Sequence, residues 1–347
     1  MGANPFLGVF LHAVGGLAAG SFYLPFKGVR KWSWEVYWLV GGFFSWIVAP
    51  WVIALIAVPH PVQALLDAPV ASLVWAFFFG TLWGIGGLTF GLSMRYLGLS
   101  LGYAVALGFC AAFGTLIPPI FDGSILTMIQ SASGLVILAG IGVTLVGIAI
   151  CGRAGILKER ELSDAQRQAV IQEYNFSKGI AVACLSGVMS ACMAFAIAAA
   201  KPIGEAALAL GAPELFQNSP AFIVIFAGGF LTNLLWCSYL LAKNGSTRDY
   251  FDQSAPLLLN YVLSAVAGTI WYFQFMFYGM GTTQMGAYDF SSWTLHMAFI
   301  IVFSNLWALT LREWKGSSGR TLGWITGGIA VLIFSTVIIG IGNWIAG

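Results

Sequence analysis

Charge is what this sequence has least of. Only 8% of its residues are Asp, Glu, Lys or Arg, where a soluble domain carries about 25%. A soluble globule of 347 residues would need a polar skin, and this composition cannot supply one. The net charge is only +2, which excludes the basic footprint of a nucleic-acid binder. Histidine is rarer still, with His12, His60 and His296 making up the full set. The five cysteines (Cys110, Cys151, Cys184, Cys192, Cys237) sit in or beside apolar runs, with no CxxC or Cys/His spacing. That pattern supports neither a disulfide framework nor a metal site, and reads as small apolar packing residues. No phosphate-cradling Walker loop is present, so ATP drive is not indicated and no cofactor is expected. The first apolar run lacks a basic stretch before it and is long enough to span, so it reads as a first helix rather than a leader.

What is present is apolar: 59% of the chain is hydrophobic. Lipid is the solvent that accommodates such an excess. A β-barrel would show segments of about ten residues with alternating polarity. Here the runs are continuous, as in Leu135–Ile150 and Leu322–Ile341. The expectation is an all-α polytopic membrane protein with helices at about 6–26, 35–57, 70–94, 97–120, 132–151, 178–200, 219–242, 256–281, 289–311 and 321–345. The charged stretch 152–177 is expected to form a short surface helix, dividing a first five-helix half (1–151) from a second (178–347).

The basic residues fix the expected orientation. All but Lys201 of the 15 lysines and arginines fall between helices 1 and 2, 3 and 4, 5 and 6, 7 and 8, or 9 and 10. The positive-inside bias puts those five connections in the cytoplasm and both termini outside. Gly80-Thr-Leu-Trp83 in helix 3 recurs as Gly268-Thr-Ile-Trp271 in helix 8, with Phe90-Gly91 matching Tyr278-Gly279 at the same offset. An odd number of helices per half inserts the second copy upside down, which predicts two inverted five-helix repeats of the kind found in secondary transporters. Gly16/Gly20, Gly87/Gly91, Gly98/Gly102 and Gly323/Gly327 read as helix contacts.

A charge at the bilayer centre costs about 2.5–3.5 kcal/mol, so ionisable groups inside helices are informative. Asp289, Trp293 and His296 are spaced to share one face of helix 9. A carboxylate or imidazole there can load a proton on one side and release it on the other. His12 lies at comparable depth in helix 1, with Tyr23 on the same face. An indole offers a flat surface for the C–H face of a sugar, and Gln274, Tyr272 and Tyr278 on helix 8 can bond its hydroxyls. Each residue also has a plainer role: Asp289 as an N-cap, His296 and His12 as neutral helix-bridging imidazoles, Trp293 as packing. Lys27, Arg30, Lys31, Trp32, Trp34 and Glu35 read first as a membrane-interface anchor.

Several stretches resemble the L-rhamnose–proton symporter family of the drug/metabolite transporter superfamily. They are Tyr23-Leu-Pro-Phe-Lys27 with Lys31-Trp-Ser-Trp-Glu35, Trp83-Gly-Ile-Gly86, Met94-Arg-Tyr-Leu-Gly98 and Gly114-Thr-Leu-Ile-Pro-Pro119. Arg153-Ala-Gly with Leu157-Lys-Glu-Arg160, Ala199-Ala-Lys-Pro202, and Tyr288-Asp-Phe-Ser-Ser-Trp293 with Leu295-His-Met297 complete the set. The resemblance implies proton-driven uptake of L-rhamnose or a related deoxy sugar across a bacterial inner membrane, by alternating access, with outward termini. Its partners would be a small sugar, the proton and membrane lipid. The residues at motif positions are His12, Tyr23, Lys27, Trp83, Asp289, Trp293 and His296. Gly87, Thr89 and Phe90 depart from relatives that carry Asn and Tyr after Trp83-Gly-Ile-Gly86, which bears on the identity of the sugar. An exporter of a small metabolite or drug on the same fold is the alternative; an embedded enzyme lacks any cluster of catalytic polar groups.

An epitope placed at either terminus is expected to be reached by antibody in spheroplasts, and one within 152–177 only after the membrane is opened. A terminus reached only in opened membranes would overturn the orientation.

Overall fold

The computed structural model describes residues 4–97, 99–121, 123–161, 176–286, 289 and 291–346. The long helices are α1 (Pro5–Phe26), α2 (Trp34–Ala57), α3 (Val70–Leu97), α4 (Leu99–Phe121), α5 (Ala132–Glu161), α6 (Phe176–Ala199), α7 (Ser219–Asn244), α8 (Leu257–Thr282), α9 (Ser291–Thr310) and α10 (Gly319–Ala346). Among the described residues, nine helices are long and apolar enough to cross a membrane, and α4 contributes a shorter apolar stretch, Val105–Ile120. No strand occurs among the described residues. Even the β-branched Val and Ile runs are helical. Lipid offers no partner for a free N–H or C=O, and a helix pairs them within one segment.

Two helices are interrupted, each beside a proline. Helix α1 breaks at Phe22, where Pro25 has no N–H to offer the Ser21 carbonyl one turn back. Helix α2 opens into a π-helical turn over Phe44–Val48 just before Pro50, which cannot bond the Trp46 carbonyl.

The chain forms two compact units. The first comprises residues 1–17, 86–194 and 281–347; the second comprises 18–85 and 195–280. In the first unit, α5 and α10 pack along their length. The Thr144 hydroxyl donates to Ser335 Oγ at 2.8 Å, and Ile137, Ile141 and Ile339 join Met128, Met285 and Leu295 in one apolar cluster. At one end, the backbone N–H of Asn4 donates to Gln284 Oε1 at 3.3 Å, and Asn343 Nδ2 donates to Ser291 Oγ at 3.0 Å. At the far end of α5, Glu161 accepts from the Ser318 N–H at 2.9 Å and the Thr321 hydroxyl at 2.6 Å.

In the second unit, two close backbone approaches hold the helices. Gly80 of α3 lies against the Ile225 carbonyl of α7, and Gly268 of α8 lies against the Gly41 carbonyl of α2. No side chain fits at either place. Nearby, Trp38 Nε1 donates to Asn233 Oδ1 at 3.1 Å, and the Thr232 hydroxyl donates to the Thr81 carbonyl at 2.9 Å. The connections are structured as well. A short helix, Pro61–Asp67, packs its Ala64 with Val58, Ala207 and Ala212 beside a second short helix, Lys201–Ala209.

The segment expected to be an interface anchor also forms a latch. Glu35 is buried and accepts from Asn244 Nδ2 at 2.9 Å and from the Ser246 hydroxyl. Asp249 accepts from the Ser33 N–H and hydroxyl, and Asn260 bonds both backbone groups of Arg30. Trp32 is buried edge-on to Tyr261 at 4.7 Å, while Lys31 donates to the Ser254 carbonyl. Close by, the Ser254 N–H and hydroxyl hold the Asp252 carboxyl below its usual range. Trp34 and Lys27 remain exposed.

Two further expectations change. Helix α5 runs on to Glu161 rather than ending at Cys151; the surface helix expected beyond it lies outside the described residues. Gly323 and Gly327 are not helix contacts, because an added Cβ at either meets nothing within 4 Å.

Gly268→Ala should therefore destabilise the protein by about 1–3 kcal/mol through overpacking, while Gly327→Ala should stay within about 0.5 kcal/mol of wild type. Thermal unfolding of the purified protein in detergent checks both.

Candidate functional site

The candidate residues fall into two groups, one in each unit. In the first unit, α1 and α9 bring His12 and His296 together. Their ring centroids are 6.4 Å apart in an edge-on arrangement, and both side chains are fully buried. Gly281, near the end of α8, gives the His12 ring its space: a Cβ there would lie 2.8 Å from Cε1 and Nε2. The pairing follows from sequence positions far apart in the chain, 12, 281 and 296, and no local pattern encodes it.

Trp293 stands one turn before His296 but is held by α4. Its indole N–H donates to the Cys110 carbonyl at 3.0 Å, and its ring covers Gly114. Beside it, the Thr115 and Thr294 hydroxyls share a hydrogen bond of 2.6 Å, and Cys110 Sγ lies 4.0 Å from Met297 Sδ. These α4–α9 ties leave Trp293 only 2% exposed. Asp289 is not on the helix. Helix α9 begins at Ser291, and Asp289 sits half-buried in the turn before it, its carbonyl accepting from the Ser292 N–H at 3.0 Å. The shared face of Asp289 with Trp293 and His296 does not form, because Asp289 lies in a turn and α9 starts only at Ser291.

In the second unit, Trp83 is the centre of an aromatic cluster. Its centroid lies 5.4 Å from Trp271, 6.2 Å from Trp46, 5.8 Å from Phe226 and 5.8 Å from Phe275. Tyr272 is fully buried beside Phe226 at 5.9 Å. Gln274 and Tyr278 are buried on the same helix. Tyr23 and Lys27 are not part of this interior. Tyr23 is 45% exposed and packs on Phe22 at 4.4 Å.

Sequence reasoning missed Trp46, Phe226 and Phe275, and saw Trp271 only as half of a repeat. The recurring Gly-Thr-x-Trp is a signal that could have joined Trp271 to Trp83. Nothing separates Trp46 from the other 13 tryptophans of the 14 in the chain.

The class these features define is a polytopic helical membrane protein whose intramembrane histidines and aromatics are gathered in buried clusters. Comparison with known proteins narrows it. The L-rhamnose-proton symport protein (RhaT) family matches residues 1–345, and the chain belongs to that family. It is 42% identical over 340 residues to the L-rhamnose-proton symporter of Cronobacter sakazakii, covering 97% of each chain. It is 41% identical, with the same coverage, to the L-rhamnose-proton symporter of Salmonella gallinarum.

Gly281→Ala is expected to cost about 1–3 kcal/mol by crowding the His12 ring, and His12→Ala in the same chain should relieve part of that loss. A double-mutant cycle on thermal stability, with a coupling of about 1 kcal/mol, checks the contact.

Proposed function

We propose that this protein is a proton-coupled symporter that imports L-rhamnose, or a closely related deoxy sugar, by alternating access. The observation that carries the reading is 41–42% identity over 97% of both chains to proteins named L-rhamnose-proton symporters.

The proposed setting is a bacterial inner membrane, with ten crossings, periplasmic termini and a cytoplasmic linker at 152–177. The loop contacts support it. Connection 1–2 latches to connection 7–8, and the end of α5 ties to connection 9–10. Connection 2–3 packs on 6–7, and the N-terminus bonds 8–9. Each pair is one that alternate crossing assigns to the same side. The division into halves 1–151 and 178–347, as inverted repeats, has support too. The repeated Gly-Thr-x-Trp places its glycine against a carbonyl of α7 in one copy and of α2 in the other, and α2 and α7 are themselves repeat mates. Both units draw on matching stretches of each half. This is the architecture of the drug/metabolite transporter superfamily that the motifs resemble.

For coupling, the proton carriers are Asp289, His296 and His12. Two imidazoles with ring centres 6.4 Å apart repel when both are charged, so the pair suits a single proton. The half-buried Asp289 in the turn before α9 is placed to exchange that proton with solvent. Sugar contacts come from Trp293, Trp83, Tyr23, Lys27, Gln274, Tyr272 and Tyr278, the buried ones as the principal set. Proton and sugar must jointly favour the state that reorients, or one would leak without the other.

In vesicles holding the purified protein, L-rhamnose added outside should draw protons inward, seen as alkalinisation of the medium. Asp289→Asn and His296→Gln should each cut that proton flux about tenfold, a loss of about 1.4 kcal/mol in coupling. Sugar entry by the wild type without proton movement would defeat the symport reading.

A further inference from the structure

The π-helical turn of α2 carries the two residues whose buried polar atoms most need an explanation. Ser45 and Trp46 both lie within Phe44–Val48, at 2% and 5% exposure. Among the described residues, neither Ser45 Oγ nor Trp46 Nε1 has a hydrogen-bond partner. The hydroxyl of Tyr272, fully buried on α8, has none either. Helices α2 and α8 are in contact through Gly41 and Gly268, and Ser45 and Tyr272 each stand four residues beyond those glycines. A buried donor left without an acceptor is unfavourable, and more so where lipid surrounds the helices. Single-turn π-bulges inside α-helices occur frequently at functional sites.

The rings around these donors have a definite shape. Trp46 stands perpendicular to both Trp83 and Trp271, at 89° and 88°, with centroids 6.2 and 5.6 Å away. Gly42 leaves room for it, since a Cβ there would lie 2.5 Å from the Trp46 ring. Indole walls accept C–H faces and a methyl group, while the orphaned N–H and O–H require acceptors. A ligand that meets both demands is neutral, carries several hydroxyls and has an apolar side. A deoxyhexose fits that description; an anion or a purely apolar compound does not.

We propose that Trp46, presented by this π-turn, is a sugar-recognition residue. Its indole N–H and the Tyr272 hydroxyl donate to hydroxyls of the deoxyhexose, and the paired Trp83 and Trp271 indoles beside Trp46 offer the apolar wall. This rests on the symporter reading given above. It adds to that reading a residue and a donor pair, and it gives an acceptor to the buried Tyr272 hydroxyl, which has no hydrogen-bond partner among the described residues.

The test uses full-length protein in liposomes, comparing wild type, Trp46→Phe and Tyr272→Phe. L-Rhamnose uptake is measured under an imposed proton gradient, and thermal midpoints with and without the sugar. Loss of one hydrogen bond should raise the half-saturating sugar concentration about tenfold in each variant. Without sugar, Tyr272→Phe should melt at or above wild type, because it removes an unpaired buried hydroxyl, and its sugar-dependent rise in Tm should shrink. A structural role alone would give the opposite pair of results. A folded Trp46→Phe that half-saturates within about twofold of a transporting wild type overturns the proposal. Where Trp46→Phe does not fold, Tyr272→Phe decides by the same criterion. A wild type that neither transports L-rhamnose nor is stabilised by it sinks the symporter reading itself, and this inference with it.

Discussion

A hydrocarbon solvent offers no hydrogen bonds, and that constraint runs through the molecule. The backbone answers it by staying helical wherever the runs are long. The small polar side chains answer it by bonding back to their own helices. Thr81 donates to Phe77, Thr269 to Ala265, Asn233 to Gly229 and Asn305 to Ile301, each to a carbonyl four residues earlier. A hydroxyl bonded in this way costs little in lipid and makes no demand on a neighbour. Against that habit, side chains that reach across to another helix acquire meaning. Thr115 with Thr294, Thr144 with Ser335 and Trp38 with Asn233 fix pairs of helices, and the histidines of α1 and α9 are brought together edge-on without any local motif.

Close packing without a hydrophobic drive between helices depends on small residues. Here the glycines that matter sit where one backbone meets the carbonyl of another, at Gly80 and Gly268. Their sequence context, Gly-Thr-x-Trp, places a tryptophan three residues on in each case, and the two indoles then meet at 5.4 Å. One tetrapeptide thus sets both a helix contact and half of an aromatic cluster. Glycines chosen on spacing alone did less well. The Gly323/Gly327 pair has the i, i+4 spacing but faces open space, because spacing says nothing about which side of a helix is covered.

The large features were legible because hydrophobic length and charge placement are local properties that a sequence displays directly. Helix interiors were read correctly, and His12 and His296, read as lying inside helices 1 and 9, are buried there. Departures arose where periodicity was carried past a break. Asp289 was assigned to α9's face although the helix starts at Ser291. In the other direction, α5 continues through Gly152 to Glu161 because Ile156-Leu157-Lys158-Glu159-Arg160 is a run of good helix formers. The hydrogen bonds by which Glu35 meets Asn244 and Ser33 meets Asp249 were not foreseen, because they join segments far apart in the chain. The π-turn and its Trp46 were invisible, since neither a widened helical turn nor an orphaned indole N–H leaves a mark in composition or spacing.

The extra length of α5 has a mechanical corollary. At about 1.5 Å per residue, its 30 residues extend about 45 Å, against a hydrocarbon layer about 30 Å thick. The surplus is a stiff mast outside the oily layer. It is braced where Lys158 lies 4.7 Å over the Trp314 ring and where Glu161 grips the foot of α10. The chain therefore leaves α5 from a clamped tip. Pulling on that tip would load α10 first.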